Sequence, residues 1–241
     1  MTVTSPARPV PPVSAGSLAG LAGLGALASL WSLVLWAELW VSRRGGAAVC
    51  ALGDAADCAA LWDGTVATAV HRASGLPLAG WGLAWGLAAL ALPLVALARL
   101  AEGRPVPALV SACRLVAVAG VAAVVGLLGV SLAAGTVCAG CFVVYVLVAG
   151  YAGIALYGWR TGWPDLPRGA VLAALAAGLA ALALVYPGTL TPQRPGEAGR
   201  AAVAGAPVPA ADLGPSTGDP QRDALLAEFV QSLSAPLRQS L

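Results

Sequence analysis

Two cysteine pairs carry the reactive chemistry open to this chain. Cys138 and Cys141 form a Cys-x-x-Cys, and Cys50 and Cys58 stand eight apart earlier on. Thiols three residues apart on a helix share one face, a single turn from each other. With Cys138 in the first turn, the unpaired amides and positive dipole end found there favour a thiolate. Cys141 then lies one turn deeper. Such a pair can exchange electrons with a second pair through a mixed disulfide. Phe142 follows Cys141 where a haem-attachment motif has His, which disfavours a c-type haem. Structural zinc would need both pairs as ligands at a looser spacing than zinc sites favour, so no metal is expected. The plain alternatives are structural disulfides, or cysteines placed by chance in an apolar run.

The elements that must position these thiols follow from the surrounding sequence. Leu115 to Trp159 is the longest stretch without a charged residue. At about 1.5 Å per residue it would make a helix roughly twice as long as a bilayer core is thick. It therefore folds as two helices, with the turn at Ala133-Ala134-Gly135-Thr136, and the Cys-x-x-Cys begins the second of them at the membrane face. The whole chain is 59% hydrophobic and 10% charged, with a mean hydropathy of +0.83. Soluble domains carry about a quarter charged residues, so this composition marks an integral membrane protein. The net charge of +2 is small and scattered, which argues against a nucleic-acid partner.

Five spans are expected. Leu18 to Val41 is the first, with Trp36 and Trp40 as interfacial anchors at its far end. A cleaved signal peptide would have a shorter apolar region and a more basic start than the lone Arg8. Ser42 to Ser74 is the one substantial polar connection. Within it Ala59 to Ala73 places Leu61, Trp62, Thr65, Val66, Ala69 and Val70 at helical spacing, the pattern of a short amphipathic helix on the membrane surface. Gly75-Leu76-Pro77 breaks the chain and opens the second span, Leu78 to about Ala98, which contains Gly82 and Gly86 as a small-residue contact motif. The third span runs from about Pro107 to Ala133, the fourth from Cys138 to Trp159, and the fifth from Ala170 to Tyr186. Cys113 is expected to pack in the interior, Arg114 to snorkel to the nearby interface, and His71 to lie at the surface. Residues 1–17 form a tail, 18–187 the transmembrane region, and 188–241 a linker with an amphipathic segment from Asp223 to Leu237.

Two crossings separate the loop pair from the Cys-x-x-Cys, so all four thiols belong on one side of the membrane. The arginines of the segments flanking the spans divide five (Arg8, Arg99, Arg104, Arg160, Arg168) against five (Arg43, Arg44, Arg72, Arg194, Arg200), and the positive-inside count does not choose between the faces. Disulfide chemistry does: the thiols belong on the oxidising, periplasmic face of a multi-pass protein of the cell inner (plasma) membrane.

Taken together, these residues resemble the vitamin K epoxide reductase family in its bacterial form. The likeness covers Leu18 to about Trp159. It rests on the Cys50/Cys58 loop pair, Gly75-Leu76-Pro77 at the start of the second span, Trp81-Gly82 within it, and Cys138-x-x-Cys141 followed by Tyr145. It implies an all-α membrane fold, a four-helix transmembrane bundle around a quinone with a fifth transmembrane helix beside it, capped by the first extracytoplasmic loop and its short helix. It also implies an enzyme, a thiol:quinone oxidoreductase that supports disulfide bond formation. Cys50 and Cys58 would take electrons from a thioredoxin-like extracytoplasmic partner, Cys58 would exchange with Cys138, and Cys141 would reduce the quinone. Tyr145 would offer its hydroxyl to a quinone carbonyl, with Trp81 and Trp85 lining the pocket. Leu78 stands where animal members offer an Asn to the quinone, which points to plain quinone reduction rather than epoxide chemistry. The quinone would be of menaquinone, ubiquinone or vitamin K type. The competing readings are a DsbB-like thiol oxidase, whose Cys-x-x-Cys precedes its long-loop pair, and a non-catalytic membrane protein stapled by disulfides.

Overall fold

Apolar runs of this length, broken only by Gly, Pro and short charged turns, leave the backbone one way to satisfy its polar groups away from water, which is to form helices. The computed structural model describes residues 13–43, 62–135, 138–159 and 162–192, and every regular element among them is a helix. They are α1 (Ala15–Arg43), α2 (Thr65–Ser74), α3 (Leu78–Ala101), α4 (Pro107–Ala134), α5 (Ala139–Ala152, continuing as a π-helical turn over Gly153–Tyr157) and α6 (Leu166–Thr189). All but α2 are long and apolar enough to cross a membrane, so this is an all-α, multi-pass membrane architecture. The outward faces agree. Leu27, Leu30 and Val34 on α1, and Leu175, Leu179 and Leu182 on α6, form exposed stripes at helical spacing that only lipid would cover at no cost.

The helix boundaries have local causes. Gly135, at a φ of 66°, ends α4 in the left-handed conformation that a side chain would disfavour, where the sequence placed the turn. Pro77 caps α3 and Pro107 starts α4, each where the absent N–H is no loss. The fifth helix extends past the expected Tyr186, through Pro187, to Thr189. Its last turn is closed by side chains: Thr189 Oγ1 donates to the Tyr186 carbonyl and Thr191 Oγ1 to that of Pro187.

Helices α1 and α3 form the tightest pair. A Cβ at Gly86 would stand 2.8 Å from the Ser29 backbone nitrogen, and one at Gly25 would stand 2.6 Å from that of Leu90. Gly86 thus behaves as the small-residue motif predicted, while Gly82 faces the Ser32 hydroxyl. Two packed clusters fill the bundle. One gathers Leu18, Leu21, Ala89, Leu92, Val110, Cys113, Tyr151 and Trp159 toward the end where α1 begins. The other gathers Leu35, Trp36, Leu39, Trp62, Leu83 and Cys138 at the end where α5 begins.

Several expectations are corrected. The surface helix is not continuous from Ala59 to Ala73: the chain turns at Asp63-Gly64 and α2 runs from Thr65 to Ser74, with residues 59–61 outside the described segments. Its buried stripe is Ala67 and His71, while Thr65, Val66 and Ala69 are exposed. His71 is not a surface residue. It is 5% exposed, and its Nε2 lies 3.2 Å from the Gly188 carbonyl, which makes burial of the ring tolerable. Trp36 is buried rather than set at the interface, and both it and Trp40 donate their indole N–H to Thr191 Oγ1 at 3.0 Å. Arg114 does not snorkel. It is 3% exposed, with Nε donating to the Ala155 carbonyl (3.0 Å), Nη2 to that of Trp159 (2.7 Å) and Nη1 to that of Gly162. The π-helical turn breaks the regular carbonyl ladder there, and the guanidinium takes up the freed acceptors between the rings of Trp159 and Trp163.

Candidate functional site

The start of α5 sets the geometry of the thiols. Cys138 is its N-cap residue, in an extended backbone conformation, and its Sγ accepts the Cys141 amide at 3.4 Å. The sulfur thus occupies the place that a Ser or Asp oxygen fills in ordinary caps, facing amides that no carbonyl can reach. Those donors and the positive end of the helix favour negative charge on this sulfur. Cys138 is 2% exposed, while Cys141, one turn along, is partly exposed.

Neighbouring elements hold this turn in place. Trp31 of α1 donates its indole N–H to the Gly140 carbonyl at 2.8 Å, between the two cysteines. Leu35, Trp36 and Leu39 of α1, Leu83 of α3 and Trp62 from the first connection form the cluster that buries Cys138, with Cys141 and Val144 packed against it. The end of the first connection and the start of α5 therefore meet at one end of the bundle, as the count of crossings requires. Cys50 and Cys58 lie outside the described residues.

The connection is tied down on both sides. Arg43, at the end of α1, pairs with Asp63 at 2.8 Å through Nη2 and donates through Nη1 to the Pro192 carbonyl at 2.7 Å. With His71 on Gly188, and Trp36 and Trp40 on Thr191, the residues that close α6 become part of the roof over Cys138. Gly188 has no room for a side chain, because a Cβ would run into the Gly75 carbonyl.

Tyr145 follows Cys141 by one turn. Its hydroxyl is buried and finds no hydrogen-bond partner among the described residues, although Ser131 of α4, 3% exposed, is the polar side chain beside it. An unsatisfied hydroxyl facing the thiol turn is a ready donor for a ligand oxygen. The other expected quinone contacts are Trp81, Trp85 and Leu78, all on α3. Trp81 is on an exposed face of α3, its indole N–H bonded to Ser74 Oγ at 3.0 Å. Trp85 belongs with the opposite cluster, edge-on to Tyr151 with centroids 5.4 Å apart and its N–H on the Val116 carbonyl. Leu78 is partly exposed at the start of α3, and its neighbour Ala79 packs on the thiol cluster. The fold thus brings together Cys138, Cys141 and Tyr145, and leaves both tryptophans outside the thiol cluster. Cys113 is fully buried in the opposite cluster and packs there as expected.

Trp31 and Thr191 were not singled out by the sequence, because their partners are distant in it: 109 residues separate Trp31 from Gly140 and 155 separate Trp36 from Thr191. Among the described residues no three His, Cys, Asp or Glu side chains converge as a metal site would require. Comparison with protein-family models, with curated proteins and with solved structures returns no match.

Proposed function

We propose that this chain is a membrane thiol:quinone oxidoreductase, similar in working to the vitamin K epoxide reductase family, that oxidises an extracytoplasmic thioredoxin-like protein and reduces a lipid-soluble quinone. One observation carries this reading: the Cys138 sulfur caps α5 inside a cluster that contains Trp62, a residue only four positions beyond Cys58. Four residues reach at most roughly 14 Å, so covalent connection limits how far Cys58 can stand from the cluster around a thiol that bulk solvent barely touches.

The sequence of steps balances. A partner dithiol reduces the Cys50–Cys58 disulfide and leaves as a disulfide. The Cys58 thiolate attacks Cys138 of the Cys138–Cys141 disulfide, displacing the Cys141 thiolate, and Cys50 then resolves the mixed disulfide. The dithiol so formed passes two electrons and two protons to the quinone from Cys141, closing the Cys138–Cys141 disulfide again. Tyr145 supports a quinone acceptor, since its buried, unpartnered hydroxyl lies one turn beyond Cys141 and would orient a carbonyl there. The same reading places the thiols on the periplasmic face of the inner membrane, where such oxidation is needed.

The test is reduction of a short-chain quinone by the purified protein with a dithiol donor, taken cysteine by cysteine. Cys141→Ala should abolish turnover, whereas Cys58→Ala should leave part of the direct reduction by a small dithiol. Undiminished turnover in Cys141→Ala would reject the assignment.

A further inference from the structure

The five candidate spans contain one acidic side chain, Glu38 of α1. Its Oε2 is sealed from solvent and has no hydrogen-bond partner among the described residues. A carboxyl oxygen in that condition costs stability, and inside a membrane protein such a group marks a place where protons or ions are handled. Its position on the helix says which place. Trp31, Leu35 and Glu38 fall at i, i+4 and i+7, one face of α1. Trp31 on that face holds the Gly140 carbonyl, and Leu35 packs in the cluster that buries Cys138. The α1 chain runs toward the thiol end, and helical side chains lean back toward their own N-terminus. Glu38 therefore lies on the face of α1 that carries Trp31 and Leu35 to the first turn of α5.

We propose that Glu38 is a proton-transfer residue for the Cys138–Cys141 pair. The inference rests on the thiol:quinone reading and adds what that reading lacks, a route for protons in a turn that solvent barely reaches. When the dithiol becomes a disulfide, two sulfurs shed two protons and the quinone gains two on becoming quinol. The Cys138 proton passes to the Glu38 carboxyl and on to the product. When Cys58 opens the disulfide and Cys50 resolves it, the Glu38 carboxylate takes the proton that the Cys50 thiol sheds and hands it to the departing Cys138 sulfur. The other titratable or charged groups at this end of the bundle, among the described residues, are Cys138, Cys141 and Tyr145 of α5, Asp63, His71 and Arg72 of the connection, Arg43 at the end of α1 and Tyr186 of α6, the last exposed on the outer surface. The segments of α3 and α4 at this end contribute none.

The experiment uses the full chain in lipid nanodiscs, with dithiothreitol as donor and menadione as acceptor, across acid to alkaline pH. Glu38→Gln should lower turnover by about tenfold or more and erase the acid limb of the wild-type profile. Glu38→Asp should restore part of the rate and the acid limb with it. A glutamine variant matching wild type in rate and profile overturns the inference and leaves the thiol:quinone reading intact. Wild-type protein that never reduces menadione overturns that reading, and this inference falls with it. Should Glu38→Gln prove unstable, Glu38→Asp decides: an aspartate variant that folds, shows all its thiols to an alkylating reagent and lacks turnover at every pH also overturns the inference.

Discussion

The Cys141 amide donates to the sulfur of Cys138 across 3.4 Å, so one residue both caps the helix and supplies one of its two thiols. The two roles can be separated. Cys138→Ser keeps an acceptor for the amide and removes the redox function, whereas Cys138→Ala removes both. Both variants should lose quinone reduction. Only the alanine variant should also lose stability, by about 1 kcal/mol, measured by denaturant unfolding in detergent.

Arg114 tests the opposite end of the bundle. Its guanidinium satisfies the carbonyls of Ala155, Trp159 and Gly162 inside an apolar surround. Arg114→Met preserves bulk but leaves these acceptors bare, and should cost about 3 kcal/mol. Arg114→Lys should recover only part, since a single ammonium cannot reproduce the fork. Thermal unfolding checks both, and neither should change the identity of the reactive cysteines.

Thr191 takes the indole N–H groups of both Trp36 and Trp40 on one hydroxyl oxygen. Thr191→Val is isosteric and strands both donors, at a cost of about 2 kcal/mol. Because the same stretch receives His71 and Arg43, the variant should also loosen the roof over Cys138. Faster alkylation of Cys138 by a bulky maleimide, in otherwise folded protein, is the expected sign. Unchanged labelling would separate α6 from the roof.

Gly86 sets the distance between α1 and α3. Its absent Cβ would meet the Ser29 backbone, which cannot turn aside as a side chain could. Gly86→Ala should cost about 1–3 kcal/mol through forced separation of the helices. Gly23, with open space at its Cβ position, is the control: Gly23→Ala should be neutral or slightly stabilising.

Much of this molecule is legible in the order of its residues. Hydropathy marks all five spans, and Gly135 and Pro77 mark their ends, because turn chemistry acts within a few residues of itself. The placing of Cys138 at the first turn of α5 follows from the same local logic. What local logic misses is pairing across the bundle. His71 and Arg114 look like surface groups because isolated charge prefers water, and only the distant carbonyls of Gly188, Ala155 and Trp159 make their burial tolerable. Trp81 and Trp85 follow the same rule in reverse. Their helix lies beside the thiol cluster, yet each ring turns to a hydrogen-bond acceptor elsewhere, Ser74 or Val116, that sequence spacing does not reveal. The loop cysteines and the segment from 223 to 237 lie outside the described residues, so these expectations stand as the sequence stated them.

The relay between loop and helix is tested most directly by trapping it. With Cys50 and Cys141 replaced by Ser, Cys58 and Cys138 lose the partners that would resolve their bond. A Cys58–Cys138 disulfide is then expected, identified by mass spectrometry of the non-reduced protein isolated from membranes. Two thiols that remain unlinked in folded protein, under oxidation that closes the pairs in wild type, would contradict it.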